Sequence, residues 1–148
     1  MRRTQQEMKT DCIFCKIADG KLPAAKVYED SDILAFMDIG PVVKGHTLII
    51  PKQHYNPITE TPPEVLQKLI VVVQKIARAQ VNGLGADGIN VIQSNGKIAG
   101  QIIPHIHFHV IPRFKSDGHS WNWTPRKYDN QDEMNGLAQK IKNALANH

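Results

Sequence analysis

Pro104-His105-Ile106-His107-Phe108-His109-Val110-Ile111-Pro112 alternates imidazole with apolar side chains. Residues two apart on an extended strand share a face. The pattern therefore predicts a strand over 104–112, with His105, His107 and His109 on one face and Ile106, Phe108 and Val110 in the core. Three of the seven histidines of the chain lie within these few positions. A half-buried strand has no packing reason to select imidazole three times. Histidine is selected where a nucleophile, a proton carrier or a metal ligand is needed near neutral pH. Same-face neighbours on a strand are ~6.6 Å apart and the outer pair ~13 Å. One ion held by all three is disfavoured on a regular strand, so the rings are expected to divide their work.

Working outward, 88–93 is a second strand candidate, joined to the histidine strand through the turn formers Ser94-Asn95-Gly96. Further upstream, 27–29 and 33–37 are short extended segments around Asp30-Ser31-Asp32, and 46–50 is a β-rich strand stopped by Pro51. The clearest helix starts at Thr61, with Thr61 as N-cap, Pro62 in the first helical position and Glu64 completing a capping box. Val65, Leu66, Leu69, Val73, Ile76 and Ala77 recur with helical period, and Gly83 ends the run. Cys12 to Asp19 reads as two helical turns ended by Gly20. A last helix is expected from Asn130, with Met134, Leu137, Ile141 and Leu145 on one face. Two helices with about five mostly hairpin-linked strands define an α+β domain. Residues 1–10 read as a polar tail and 11–148 as one domain, without internal repeats or a linker.

The chain has 148 residues, 41% hydrophobic and 22% charged, which suits a single core. The longest purely apolar run, 69–73, is far short of the ~20 residues needed to span a bilayer. No membrane partner is expected. The basic start, Met1-Arg2-Arg3, lacks the apolar segment of a secretion signal, which places the expected location in the cytosol. A net charge of +4 suits a phosphate-bearing ligand but is too small and scattered for duplex nucleic acid. At 6% aromatics there is no stacking platform for single strands. Cys12 and Cys15, the two cysteines, read in a reducing compartment as half a metal site before a disulfide.

The stretch Gly100-Gln101-Ile102-Ile103-Pro104-His105-Ile106-His107-Phe108-His109-Val110-Ile111-Pro112-Arg113 resembles the histidine-triad signature of nucleotide hydrolases and transferases. Three upstream blocks follow in the order of that family. Asp11-Cys12-Ile13-Phe14-Cys15-Lys16-Ile17 resembles its opening helix. Phe36-Met37-Asp38-Ile39-Gly40-Pro41 resembles its ribose-binding strand end, and His46-Thr47-Leu48-Ile49-Ile50-Pro51-Lys52-Gln53-His54 its next strand. The resemblance spans about residues 11 to 113. It implies a five-stranded antiparallel sheet with one long helix and a C-terminal helix, dimerising into a ten-stranded sheet.

It also implies hydrolysis or transfer at the α-phosphate of a purine ribonucleotide conjugate, releasing a nucleoside monophosphate. Phosphoramidates and dinucleoside polyphosphates are the two candidate substrate classes. By the match, His107 is the nucleophile that carries a covalent nucleotidyl group, and His109 contacts phosphate oxygens and assists the leaving group. Asp38 accepts hydrogen bonds from the ribose hydroxyls. Phe14, Ile17 and Ile39 wall an apolar base pocket, and Gly100, Gln101 and Ile102 bring backbone amides to phosphate. Two positions depart from the family pattern. Ile102 stands where many members have Ser or Thr, and Ser94, with Asn95 beside it, stands where many have a phosphate-contacting Asn. In a bacterial-type branch, residues matching Cys12, Cys15, His54 and His105 bind zinc. That set suits a closed tetrahedral, structural site. His46 and His148 read as structural or incidental, and Arg113 as a strand-end surface residue. The His119-to-Trp123 loop and the helix after it, within 114–148, form a candidate specificity segment. Trp121 and Trp123 there must pack against the domain, a second copy or a ligand. Two other readings remain at this stage: a nucleotide-binding regulatory protein with vestigial turnover, and a hydrolase using all three histidines as metal ligands.

Overall fold

The computed structural model describes residues 11–147; the 1–10 tail and His148 lie outside the described residues. Helix α1 (Ile13–Ala18) is followed by strands β1 (Lys26–Glu29), β2 (Ile33–Met37) and β3 (Thr47–Pro51). Then come helix α2 (Pro63–Leu84), strands β4 (Gly88–Gln93) and β5 (Phe108–Arg113), and helix α3 (Gln131–Leu145). The strands form one sheet in the order β1-β2-β3-β5-β4, with every neighbouring pair antiparallel. Among the described residues no helix is long and apolar enough to cross a membrane.

Both faces of the sheet centre are covered, which explains why β2 and β3 read as continuous apolar runs rather than alternating ones. Leu34, Phe36, Leu48 and Ile50 point to one face, where they pack with Cys12, Phe14, Cys15 and Ile17 of the α1 region. Ile33, Ala35, Ile49 and Val110 point to the other, against Leu69, Val72, Val73 and Ile76 of α2. His109, adjacent to Val110, thus comes out on the α1 face. The sheet register places the chemistry there.

Three local expectations are corrected. Thr61 does not cap α2. Its hydroxyl donates to the Pro57 carbonyl at 2.9 Å, and Pro62 takes the N-cap position without a side-chain hydrogen bond. The Pro62-Pro63 pair is the cause, because a residue before proline is steered away from helical angles, and Pro62 is accordingly extended. At the other end α2 runs through Gly83 to Leu84. Gly85, at φ 69°, supplies the left-handed cap, and its N–H returns to the Val81 and Gln80 carbonyls.

The third correction concerns the histidine strand. Only 108–113 is laddered, because β4 ends at Gln93 opposite Phe108. Residues 104–107 instead turn, with His105 N–H donating to the Ile103 carbonyl and Ile106 N–H to the Tyr55 carbonyl. Pro112 is tolerated within β5 because β3 pairing stops at Val110, so no ladder bond is missing on that side.

The C-terminal helix starts where expected, with the Asn130 side chain accepting from Glu133 N–H. None of its residues is buried, and Met134, Leu137, Ile141 and Leu145 are all exposed. Trp121 and Trp123 are exposed as well, so they are not covered by the described residues. Arg113 is not free at the strand end: it pairs with Asp117 and donates to Asn90 and the His119 carbonyl.

Gly45 is a position where only glycine fits. Its φ is +106°, and an added Cβ meets Pro112 Cγ at 2.8 Å and Leu84 Cδ1 at 2.9 Å. Gly45→Ala is expected to lower stability by about 1–3 kcal/mol, read as a lower urea midpoint at unchanged m-value. A midpoint equal to wild type contradicts this.

Candidate active site

A cavity of about 480 Å³ opens on the α1 face of the sheet. Phe14 and Ile17 from α1, Phe36 from β2 and Leu48 from β3 make its apolar walls, and Asp38, Ile39, Gly100 and Ile102 also line it. His107 and His109 reach it from the turn and from β5. Phe14 meets His107 edge-on, with ring centroids 5.0 Å apart. Asp38, His107 and His109 are the polar side chains of this lining. The cavity thus offers an apolar compartment and one polar end.

Ser94, Asn95 and Gln101 do not line it. Asn95 accepts from Ile58 N–H and pairs with Gln93. Gln101 is buried and faces the opposite way: its Oε1 accepts from Gly96 N–H, and its Nε2 donates to Asn56 and to the Ile103 carbonyl. It thereby braces the loop that carries Gly100.

Backbone acceptors and donors fix which ring nitrogens carry protons. His107 Nδ1 lies 2.7 Å from the His105 carbonyl, which accepts only, so Nδ1 holds the hydrogen and Nε2 keeps its lone pair. His46 Nδ1 accepts from Val42 N–H at 3.1 Å, so the hydrogen of the neutral ring sits on Nε2. That Nε2 is 2.9 Å from His109 Nδ1 and 3.6 Å from Asp38 Oδ2. His109 Nδ1 therefore accepts, and His109 carries its hydrogen on Nε2. Asp38 Oδ1 also receives the Gly40 N–H at 2.8 Å. Burial pushes His46 and His107 below the ordinary histidine range. Burial first, then the neighbouring His107 and His46, brings His109 to about 4. All three rings are neutral at neutral pH.

His46 is the site residue that the sequence reading missed. A single histidine ahead of a strand carries no spacing signal. Only the pairing of β3 with β5, which sets Leu48 opposite His109, brings His46 to the triad.

His105 faces away from this relay. Its Nε2–H donates to the Pro51 carbonyl at 2.8 Å, leaving Nδ1 as a lone-pair donor. That nitrogen is 3.3 Å from Cys12 Sγ and 3.5 Å from Cys15 Sγ, and His54 Nδ1 is 3.3 Å from Cys15 Sγ. The four ligand atoms lie within 4.8 Å of one another. Tetrahedral zinc with ordinary Zn–S and Zn–N bonds needs S···N edges of roughly 3.6 Å. Burial lowers His105 to about 4, so its ring is neutral at neutral pH, as a ligand must be. The donor set fits zinc. Asp38, His46 and His109 also cluster within 4.8 Å, but the Val42 amide fixes a hydrogen on the very nitrogen that would ligate. That cluster is a hydrogen-bond relay.

The cavity joins an apolar compartment to a carboxylate and two neutral imidazoles, a lining suited to a small molecule with one apolar and one polar part. The HIT domain family model matches residues 19–116, and the chain belongs to the HIT, or histidine triad, family. The match begins after Cys12 and Cys15, so the cysteine half of the zinc-type cluster lies outside it.

Among relatives, the protein hit of Bacillus subtilis is 43% identical over 138 residues, 92% of this chain and 95% of that one. An adenosine 5'-monophosphoramidase of Candida albicans is 36% identical, covering 91% of each chain. An adenylylsulfatase of Arabidopsis thaliana is 44% identical over 74% of this chain and 56% of its own length. A HIT family protein from Bacillus anthracis superposes with a TM-score of 0.84 at 42% identity, over 90% of this chain and 96% of that chain. A zinc-bound histidine triad family protein from Mycobacterium smegmatis has a TM-score of 0.72 at 39% identity, over 92% and 99%.

Proposed function

We propose that the chain hydrolyses purine ribonucleotide conjugates at the α-phosphate through a nucleotidyl group carried on His107 Nε2, with nucleoside phosphoramidates as the preferred class. The observation that carries this reading is the 2.7 Å contact of His107 Nδ1 with the His105 carbonyl, which leaves the opposite nitrogen able to attack without first losing a proton. The relatives named as a monophosphoramidase and an adenylylsulfatase support the reaction class.

In the first step the Nε2–P bond forms and the bond from phosphorus to the leaving group breaks. The leaving group takes a proton from water as it departs, and His109 Nε2–H hydrogen-bonds the departing atom without giving up its hydrogen. His109 stays neutral beside the nucleotidyl-imidazolium at His107, 4.9 Å away between ring centroids. The hydroxide left by that water then attacks phosphorus, and the Nε2–P bond breaks with its electron pair returning to His107 Nε2, which leaves both rings neutral. Asp38 accepts from the ribose hydroxyls, and Phe14, Ile17 and Ile39 hold the base by apolar contact, without a side chain that reads its edge. Gly100 and Ile102 bring the backbone against the phosphate. Cys12, Cys15, His54 and His105 hold zinc, which when bound staples α1 to the turn that bears His107.

Rapidly quenched enzyme mixed with an adenosine phosphoramidate should yield, by mass spectrometry, a nucleotidyl adduct on His107. An adduct on another residue, or none during turnover, overturns the reading. A binding protein with vestigial turnover predicts the latter.

The pH dependence follows from the sign of the His107 shift. Protonation of Nε2 removes the nucleophile, and burial places that event below 6.5. The acidic midpoint of the kcat/KM profile is expected below pH 6.5. An acidic midpoint above 6.5 contradicts the assignment.

A further inference from the structure

Gln80 is an anomaly in the core. It is 4% exposed and occupies the next helical position of the α2 stripe formed by Leu69, Val72, Val73 and Ile76, where an aliphatic side chain would be expected. A buried amide costs free energy unless it is hydrogen-bonded. Its Nε2 donates to the Val110 carbonyl at 3.0 Å and to the Gly45 carbonyl at 3.1 Å, and lies 3.3 Å from Thr47 Oγ1. Its Oε1 has no partner among the described residues. The donors are used and the acceptor is not, so the group is there to donate.

The two carbonyls mark why this matters. Gly45 immediately precedes His46, and Val110 immediately follows His109. Pairing of β3 with β5 stops at Thr47 opposite Val110. Gly45 and His46 thus lie beyond the last rung, with no ladder bond from β5 to hold them at the distance seen. Thr47 Oγ1 donates to the same Gly45 carbonyl at 2.9 Å, a bond within one segment that cannot set its distance from β5. Gln80 spans the gap from behind the sheet.

We propose that Gln80 is a positioning residue. Its amide clamps the backbone before His46 to the backbone after His109, and so maintains the 2.9 Å ring-to-ring hydrogen bond that keeps the His109 hydrogen on Nε2, facing the substrate. The inference rests on the reading above, in which His109 serves the reaction at His107. Gln80 touches neither substrate nor the reacting atoms. Its effect passes through two carbonyls into the relation between two rings.

The test compares wild type, Gln80→Met, Gln80→Asn and His107→Ala with an adenosine phosphoramidate as substrate and adenosine monophosphate as binding probe. Gln80→Met keeps the volume and removes both donors. Gln80→Asn keeps the amide and withdraws it by one methylene. For Gln80→Met, kcat is expected to fall about tenfold, because small displacements of catalytic groups are costly. KM and nucleotide affinity should stay within about twofold, since Phe14, Ile17 and Asp38 are untouched. Gln80→Asn should fall between wild type and Gln80→Met.

A second readout separates positioning from general loosening. In wild type, 15N–1H correlation spectra should show His109 Nδ1 as an unprotonated ring nitrogen and Nε2 as a protonated one. In Gln80→Met the two signals should move toward each other as the tautomer is released. Unchanged kcat, a kcat loss matched by an equal loss of nucleotide affinity, or an unchanged His109 spectrum each overturns the proposal. If Gln80→Met does not fold, Gln80→Asn decides by the same measures. Wild-type turnover in His107→Ala sinks the hydrolase reading itself, while the ring spectrum still decides what Gln80 does.

Discussion

His107→Ala is expected to lower kcat by roughly 10³-fold or more while leaving nucleotide binding nearly intact. The size follows from the role: the substitution deletes the atom to which phosphorus would be bonded, and no neighbouring group can replace it in kind. His109 cannot substitute, because its Nδ1 is engaged by His46 and its Nε2 carries a hydrogen and has no lone pair to attack with. His105 cannot, because its Nε2–H is bound to the Pro51 carbonyl and its Nδ1 faces the cysteines. Binding should survive, since the apolar walls and Asp38 do not depend on that ring. The measurement pairs steady-state turnover with calorimetric affinity for adenosine monophosphate. Equal turnover in wild type and variant leaves a nucleotide-binding protein without the proposed chemistry. A matched loss of binding and turnover shows that the ring shapes the pocket rather than reacting.

The parts of this picture differ in how far the sequence revealed them, and the differences have physical causes. The alternation of His and apolar residues placed His107 and His109 together because both ultimately depend on one local rule, the period of an extended chain. The same rule over-extended the strand to 104. Whether a ladder continues depends on a partner strand, and β4 had already turned away at Gln93. The spacing of Cys12 and Cys15 indicates half a metal site by itself, and only the family resemblance joins His54 and His105 to it. Nothing within 12–15 indicates that residues 54 and 105 will arrive beside it, yet they do. His46 and Gln80 were illegible for a related reason. Each is a single polar residue whose meaning comes from a carbonyl or ring on another element. The capping of α2 was misread because two local signals competed at Thr61, and the Pro62-Pro63 constraint outweighs a hydroxyl cap. The exposed stripe of α3 shows the converse limit. Helical period predicts a face but not what, if anything, covers it.

Removal of the metal-type cluster is the other change with a large expected effect. Cys15→Ser is the most informative substitution, because Cys15 Sγ approaches both His54 Nδ1 and His105 Nδ1, at 3.3 and 3.5 Å. Structural zinc sites in small peptides contribute about 10–16 kcal/mol of apparent binding energy that is also folding energy. This domain keeps the α2-side core and the sheet without it, so the expected loss is smaller, about 3–5 kcal/mol, comparable to breaking other buried polar clusters. For a chain of this size that corresponds to a fall in Tm of roughly 10 °C or more. Wild-type protein should carry one zinc per chain, and a strong chelator should lower its Tm to about the level of the variant. The chelator should then have no further effect on Cys15→Ser. Turnover should fall in both cases without any metal taking part in the reaction, because the His105 carbonyl that holds His107 Nδ1 belongs to a residue anchored by the cluster. That coupling also distinguishes a metal staple from two buried reduced thiols. Buried thiols predict no bound zinc, no response to chelation and only the modest cost of placing a hydroxyl where a sulfur packed. Activity restored in the chelated protein by a cation that leaves Tm unchanged points instead to metal at the reacting phosphate, and contradicts the division of labour between His105 and His107.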